Sequence, residues 1–166
     1  MVEHAIISVF ACIVLSMATK WLTTQEMAAW RAFILTAGDV IRTIERDLQP
    51  FDLDFGDYQL LVMLSEAPDQ RLRMCDLADS LRLTRSGLTR RMDGVLKKKL
   101  VTRTRSTEDG RVAFAQISTK GMEVLKTAAP HHLESVRAHV IDLLSPAEIK
   151  SFTTAFTKIA QKLSEE

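Results

Sequence analysis

The middle of the chain carries an order of helix and turn patterns that constrains the fold more than any other feature. Asp54 can cap a short helix that runs through Glu66, and a second short helix fits residues 74–81. A polar stop at Arg82-Leu83-Thr84 then precedes a third helix, predicted over residues 85–99. Two short helices joined by a tight turn, the second of them strongly basic, are typical of the helix-turn-helix motif.

A β-hairpin pattern follows the third helix directly. Residues 100–105 alternate apolar residues or Thr with Arg, and residues 112–118 resume an extended pattern. Between them Asp109-Gly110 is a turn pattern, so the two segments should pair as a small hairpin, which in this place is a wing. The sequence therefore predicts a mainly α fold with a small β-hairpin wing, a winged helix-turn-helix.

Charge is distributed unevenly along the chain. Residues 71–111 contain 12 Lys and Arg against 5 Asp and Glu, a net charge of +7, whereas the whole chain has a net charge of +1. Clustered Lys and Arg displace condensed counterions from nucleic acids, so this segment favours a polyanionic partner. A solvated basic face is the alternative interpretation.

The third helix divides into an apolar and a polar side. At about 100° per residue, Leu88, Met92 and Val95 form one stripe, which we expect to be buried. Thr84 is a good N-cap, and the polar residues just after it would enter the major groove of DNA. Arginine there can bond guanine, and Ser or Thr can bond phosphate or a base edge.

The wing adds arginines that suit the narrow, electronegative minor groove. Arg111 lies at its tip, and Arg103 and Arg105 lie on the incoming strand. Asp109 has a second interpretation, in which its carboxylate holds Arg111 in place. The candidate DNA-binding residues of the helix and the wing are Thr84, Arg85, Ser86, Thr89, Arg90, Arg103, Arg105, Asp109 and Arg111.

Long helices with narrow apolar seams are predicted towards both ends of the chain. Thr23 and Glu26 have the spacing of a capping box, and so do Ser145 and Glu148. The seams alternate steps of three and four residues, as in coiled coils, and need a partner helix. We therefore predict that these helices form a homodimer, with a bundle inside one chain as the alternative. The candidate dimerisation residues are Trp30, Ile34, Ile41, Ile44, Phe152, Phe156, Ile159 and Leu163.

A further long helix is predicted over residues 118–144, and Pro130 should bend it. Together with this helix, the predicted organisation of the chain has four parts. The parts are an apolar N-terminal segment (1–20), a dimerisation helix (21–50), the winged helix-turn-helix domain (51–118) and the C-terminal dimerisation helices (119–166).

The N-terminal segment contains an uncharged apolar run from Ala5 to Ala18, shorter than the roughly 17–25 residues of a transmembrane helix. We interpret it as a helix extension or as sequence upstream of a natural start at Met17. A signal segment is the alternative, although no Lys or Arg precedes the run. The two cysteines, Cys12 and Cys75, cannot form a disulfide framework, which indicates a reducing compartment and hence the cytoplasm.

Four stretches match one known pattern in order. They are Leu77-Ala78-Asp79-Ser80-Leu81, residues 83–93 (LTRSGLTRRMD), residues 100–111 (LVTRTRSTEDGR) and residues 117–121 (ISTKG). Over roughly residues 21–166 the chain thus resembles the MarR family of bacterial winged-helix transcriptional regulators. The most specific element is the Asp-x-Arg of the wing, Asp109 and Arg111. Lys99 and Gly110 depart from the family pattern, in which Gly is common at the first position and a basic residue at the second.

The resemblance implies a cytoplasmic homodimer that binds a pseudo-palindromic operator in double-stranded DNA, usually as a repressor. It also implies a small lipophilic or phenolic ligand in a cleft between the dimerisation and DNA-binding lobes. Such a ligand would shift the spacing of the two wings, because it binds one of the two states more tightly. No resident cofactor, bound metal or membrane contact is expected.

Other functions fit the sequence less well. Redox sensing through Cys75, at a predicted helix start, is one alternative, although we expect a buried, inert thiol. His131, His132 and His139 share a predicted helix, but no further ligands complete a metal site. A winged helix used to bind protein would not need the basic segment. Without a nucleophile elbow, a His-Glu-x-x-His motif or a phosphate-binding Gly loop, the chain is not predicted to be an enzyme.

Overall fold

The computed structural model describes residues 19–106, 109 and 111–165, and the apolar run before residue 19 lies outside them. The chain divides into two compact units, Met1–Gly38 and Asp39–Glu166. The described elements are helices α1 (Thr24–Leu48), α2 (Phe55–Glu66), α3 (Met74–Ser80), α4 (Arg85–Lys97), α5 (Thr119–His139) and α6 (Pro146–Ser164), with strands β1 (Arg71–Arg73), β2 (Val101–Arg105) and β3 (Ala113–Ile117). The predicted helical fold with a hairpin wing is confirmed.

The described part of the first unit is the beginning of α1. Thr23 and Glu26 form the predicted capping box: the Thr23 N–H donates to the Glu26 carboxylate at 2.8 Å, and the Glu26 N–H donates to Thr23 Oγ1 at 3.2 Å. Two hydrogen bonds lower the pKa of Glu26: the bond with the Thr23 backbone has the larger effect, and the bond with the Thr23 side chain has the smaller one. The start of this helix is therefore fixed by residues three positions apart.

The second unit contains a core built from the end of α1, from α2, α3, α4 and α5, and from the sheet. The largest fully buried side chains include Leu60, Leu64 and Leu77, and the predicted stripe of α4 is buried with them. The strands are antiparallel in the order β1-β3-β2. The pairing of β1 with β3 is not predictable from the sequence, because three residues with two arginines show no strand pattern.

The end of α4 differs from the prediction. The helix stops at Lys97, and Lys99 adopts a left-handed conformation with φ of 60°. The Lys99 N–H donates to Leu96 O and the Leu100 N–H donates to Val95 O, both at 2.9 Å, which is the bonding pattern of a Schellman cap. This conformation favours glycine, which is the usual residue at this position of a Schellman cap.

The helix before α6 also ends earlier than predicted. α5 continues through Pro130 but stops at His139, and a 3-10 turn follows at Ile141–Leu143. At α6 the predicted capping box of Ser145 and Glu148 is present. Within the described residues, no helix combines the length and the apolar character needed to cross a membrane.

Candidate nucleic-acid interface

The N-terminus of α4 is fixed by its own hydroxyl groups. Thr84 Oγ1 accepts a bond from the Gly87 N–H at 3.1 Å, and it lies 3.1 Å from Ser86 Oγ. Thr89 Oγ1 donates to Arg85 O at 2.9 Å. These bonds satisfy the hydroxyl groups locally, so the contacts of this surface with a partner depend on its arginines.

Arg85 and Arg90 are the arginines on the exposed side of the helix. Neither takes part in any ion pair among the described residues. Ser86 and Thr89 are exposed beside them. A capped helix end with two unneutralised arginines has the chemistry needed to bond base edges or phosphates in a major groove.

The wing turn is organised by Asp109. Its carboxylate accepts a bond from the Arg111 backbone N–H at 2.9 Å, and its own N–H donates to Ser106 Oγ at 3.3 Å. The hairpin then closes through the Ser106 N–H to Val112 O at 2.8 Å. Asp109 therefore holds the backbone of Arg111, whose side chain is exposed. The Asp-x-Arg spacing thus has a structural basis in this turn.

The arginines of β2 lie on one face of the sheet. Arg103 pairs with Ala115 and Arg105 with Ala113 across the antiparallel ladder. Residues directly opposite each other share a face, so both arginines leave the sheet on the side where Ala115 is buried. They extend that side towards the tip of the wing.

Two cations of the basic segment, Arg91 and Lys98, form ion pairs inside the chain. Arg91 Nη1 lies 2.9 Å from Asp57 Oδ1 and 2.5 Å from Asp54 Oδ1, and Lys98 Nζ lies 3.1 Å from Asp57 Oδ2 and 2.6 Å from the carbonyl oxygen of Asp52. We call these five residues the aspartate clamp. Asp57 is only 5% exposed, so its carboxylate is a buried anchor for both cations. The clamp attaches α4, at its middle and at its C-cap, to the beginning of α2.

Electrostatics and packing both favour the clamp. Burial lowers the pKa of Lys98, but the hydrogen bond and charge of Asp57, with those of Asp52, outweigh burial and raise the pKa overall. Gly56 makes room for Arg91, because a Cβ at this position would lie 2.4 Å from Arg91 Cζ. The net charge of the basic segment therefore overstates the charge available to DNA.

A cleft of about 360 Å³ is lined by residues of α2, of α5 and of the turn that leads into α4. Its lining includes Phe55 and Tyr58 of α2, Arg82 of the turn into α4, and His132 of α5. The His132 and Tyr58 rings are 4.4 Å apart between centroids, and burial lowers the pKa of His132. Its Nδ1 is buried and has no hydrogen-bond partner among the described residues. The cleft thus has aromatic walls, and the unsatisfied nitrogen of His132 is shielded from solvent.

Known proteins resemble this chain in sequence and fold. The MarR family model matches residues 51–112. AbsC, a MarR family transcriptional regulator from Streptomyces coelicolor, is 38% identical, with a TM-score of 0.86 over 89% of this chain and 100% of AbsC. The chain belongs to the MarR family of transcriptional regulators. Members of this family are regulators, not enzymes.

Two further relatives bear on the DNA-binding surface of this MarR family member. Sco3205, a MarR family regulator from the same species solved in complex with DNA, is 36% identical, with a TM-score of 0.85 over 87% of this chain and 92% of Sco3205. The repressor YetL of Bacillus subtilis is 29% identical over 112 residues, which are 68% of this chain and 66% of YetL. The alignment therefore spans just under two thirds of YetL.

The candidate dimerisation residues have different surroundings. In the first unit Trp30 and Ile34 are exposed, at 51% and 48%. In the second unit Phe156 is half-buried against Phe152, and Ile44 is buried in the core of the chain itself. The remaining exposed candidates are Ile41, Phe152, Ile159 and Leu163. Large apolar side chains are thus left uncovered on both α1 and α6.

The structure shows the surroundings of the cysteine and histidines that the sequence analysis considered. The expected burial of Cys75 is wrong: the thiol is exposed, and its Sγ lies 3.2 Å from Asp76 Oδ1. His131 packs on Phe51, whereas His139 Nδ1 lies 2.9 Å from Ser135 O. The described residues contain no cluster of three or more His, Cys, Asp or Glu suited to hold a metal ion.

Proposed function

We propose that this protein is a homodimeric repressor that binds a pseudo-palindromic operator in double-stranded DNA, in the bacterial cytoplasm. The observation that carries the proposal is the N-terminus of α4, where Arg85 and Arg90 are exposed on a helix end fixed by Thr84. In a two-fold dimer, two such helices reach half-sites one helical turn, about 34 Å, apart. The DNA complex of Sco3205 and the repressor YetL support this function.

A fluorescence-anisotropy titration tests the proposal. The probes are the intergenic DNA upstream of the protein's own gene and a scrambled duplex of the same length, each at two salt concentrations. We expect nanomolar, selective binding to the intergenic DNA and a steep salt dependence on both duplexes. Weak binding without preference for either duplex would reject a sequence-specific operator binder.

Substitution of the exposed arginines should distinguish sequence-specific binding from general electrostatic attraction to DNA. Arg90→Ala should cost about 1–3 kcal/mol of binding free energy on the operator and little on the scrambled duplex, because a base contact is lost. Arg111→Ala should weaken both complexes, since the wing contacts DNA largely independently of sequence. Arg137→Ala, which removes an exposed arginine from α5, is the control in the same titration. Equal losses on both duplexes for Arg90→Ala would mean that Arg90 contacts only phosphate.

The dimer is the second part of the proposal. The double variant Ile41→Asp/Phe156→Asp should be monomeric, because it places charges in the apolar seams of α1 and α6. Size-exclusion chromatography with light scattering at micromolar concentration measures the mass. Gln161→Asp adds a charge on the opposite side of α6 and should leave the dimer intact. A double variant that remains dimeric would place the interface elsewhere.

The cleft beside α2 is the proposed site for a small phenolic or lipophilic ligand. Phe55 and Tyr58 offer aromatic contacts to such a ligand, and His132 lines the same cleft. Because Arg82 lies in the turn that leads into α4, a ligand there contacts the support of the DNA-binding helix. Phenol added to the formed complex in the same titration tests this part: release of the operator supports it, and unchanged anisotropy opposes it.

A further inference from the structure

The wing sheet has a second basic face, formed by residues outside the predicted DNA-binding set. Arg73, Phe114 and Thr104 form one row across the strands, and Arg71, Gln116 and Thr102 form the next. Opposite residues share a face and successive residues alternate, so these six lie on the side away from the buried Ala115 and Ile117. We call this side the outer wing face.

The arginines of the outer wing face are exposed and partly ordered. The guanidinium carbon of Arg71 lies 4.5 Å from the centre of the Phe114 ring, a cation–π contact that holds the side chain over the face. Both Arg71 and Arg73 are exposed, and neither belongs to an ion pair among the described residues. A positive side chain already held in place loses less conformational entropy when it binds an anion.

We propose that the outer wing face binds the DNA backbone beside the minor groove that the wing enters. The minor groove is only about 6 Å wide, so a hairpin tip inside it lies between two phosphate backbones. Arg103 and Arg105 leave the sheet on one face, and Arg71 and Arg73 leave it on the other. Each backbone thus meets positive side chains. This inference rests on the proposed binding of DNA through the wing.

The contact is sequence-independent. Arginine neutralises phosphate charge whichever bases lie nearby, and each phosphate contact adds about 0.9 to the slope of log K against log salt concentration. The alternative role for Arg71 and Arg73 is protection of the edge strand β1, because charged residues prevent an exposed edge from pairing with another chain. The two roles differ in their effect on the salt slope.

The test is the salt dependence of binding by the double variant Arg71→Gln/Arg73→Gln. On a random duplex that extends one helical turn beyond each wing, its salt slope should be shallower by about 3.6, because the two wings of the homodimer lose four phosphate contacts. The loss of affinity should be equal on random and operator DNA. On a duplex trimmed to the contacts of the two α4 helices, the variant and the unmodified protein should bind alike.

Three further variants complete the experiment. Arg73→Gln leaves the stacking of Arg71 on Phe114 intact. Its salt slope should change by about half as much as that of the double variant, which keeps the test valid if the double variant folds poorly. Arg71→Lys/Arg73→Lys should keep the original slope. Lys126→Ala/Lys150→Ala removes the same charge from α5 and α6 and should leave the slope unchanged.

The outcomes separate this inference from the proposed function. An unchanged slope in both the double and the single glutamine variant would overturn the inference and leave protection of the edge strand as the role of these arginines. An equal loss in the Lys126→Ala/Lys150→Ala control would also overturn it. If the unmodified protein binds no duplex, the proposed function itself fails, and this inference fails with it.

Discussion

Asp57→Ala should lower the free energy of unfolding by about 3 kcal/mol, because it leaves two partly buried cations without their shared anchor. Asp57 is 5% exposed and accepts bonds from Arg91 at 2.9 Å and from Lys98 at 3.1 Å. Asp54 and Asp52 still contact these cations, but both are exposed and cannot replace a buried carboxylate. Urea unfolding followed by circular dichroism measures the change.

Asp142→Ala is the matched control for this prediction. Asp142 forms one ion pair with Arg137, and both side chains are largely exposed to solvent. An exposed pair of this kind contributes about 0–1 kcal/mol, so the control should unfold almost as the unmodified protein does. Similar losses in the two variants would show that burial of Asp57 does not matter and that the clamp is an ordinary surface network.

The DNA-binding behaviour of Asp57→Ala distinguishes positioning from direct contact. The variant has one negative charge fewer, so its affinity for a scrambled duplex at low salt should stay the same or increase. Its affinity for the operator should fall, because α4 loses the buried carboxylate that anchors Arg91 and Lys98. A parallel fall on both duplexes would point to general unfolding, which circular dichroism at the assay temperature checks.

The parts of this fold that sequence predicts are those that depend on neighbours. Asp54, Thr84 and Ser145 each bond a backbone N–H three residues later, so residue type and spacing are enough to place the helix starts. The wing turn is equally local, because Asp109 bonds the backbone two residues on. These short-range bonds explain why the helix-turn-helix and the wing can be predicted without any structure.

The parts that sequence does not predict depend on distant residues. Asp57 lies 34 residues from Arg91 and 41 from Lys98, so the sequence counts the two cations in the net charge of the basic segment and does not show that Asp57 pairs with them. β1 likewise becomes a strand only through its pairing with β3. Lys99 is a good helix former that adopts a left-handed turn because the cap bonds of Leu100 require it.

Gly121→Ala should destabilise the chain by about 3 kcal/mol, because the new methyl group has no space. A Cβ at this position would lie 2.1 Å from the carbonyl oxygen of Leu100 and 3.0 Å from Ile117 Cγ1. The obstacle is backbone, which cannot rotate away as a side chain can. It is also fixed, because the Ser118 N–H donates to Leu100 O at 3.0 Å and Ser118 Oγ lies within 2.8 Å of Lys99 O. To admit the methyl group, α5 must move away from the base of the wing.

Gly94→Ala is the opposite case and serves as the control. Gly94 lies inside α4 and is exposed, and a methyl group on its Cα would have no atom within 4 Å apart from its own helix backbone and chain neighbours. Alanine loses less backbone entropy than glycine on folding into a helix, so this variant should be more stable by up to about 1 kcal/mol. Thermal unfolding should therefore shift in opposite directions for the two variants. If Gly121→Ala unfolds at the same temperature as the unmodified chain, α5 and the wing base are packed less tightly than the distance to Leu100 indicates.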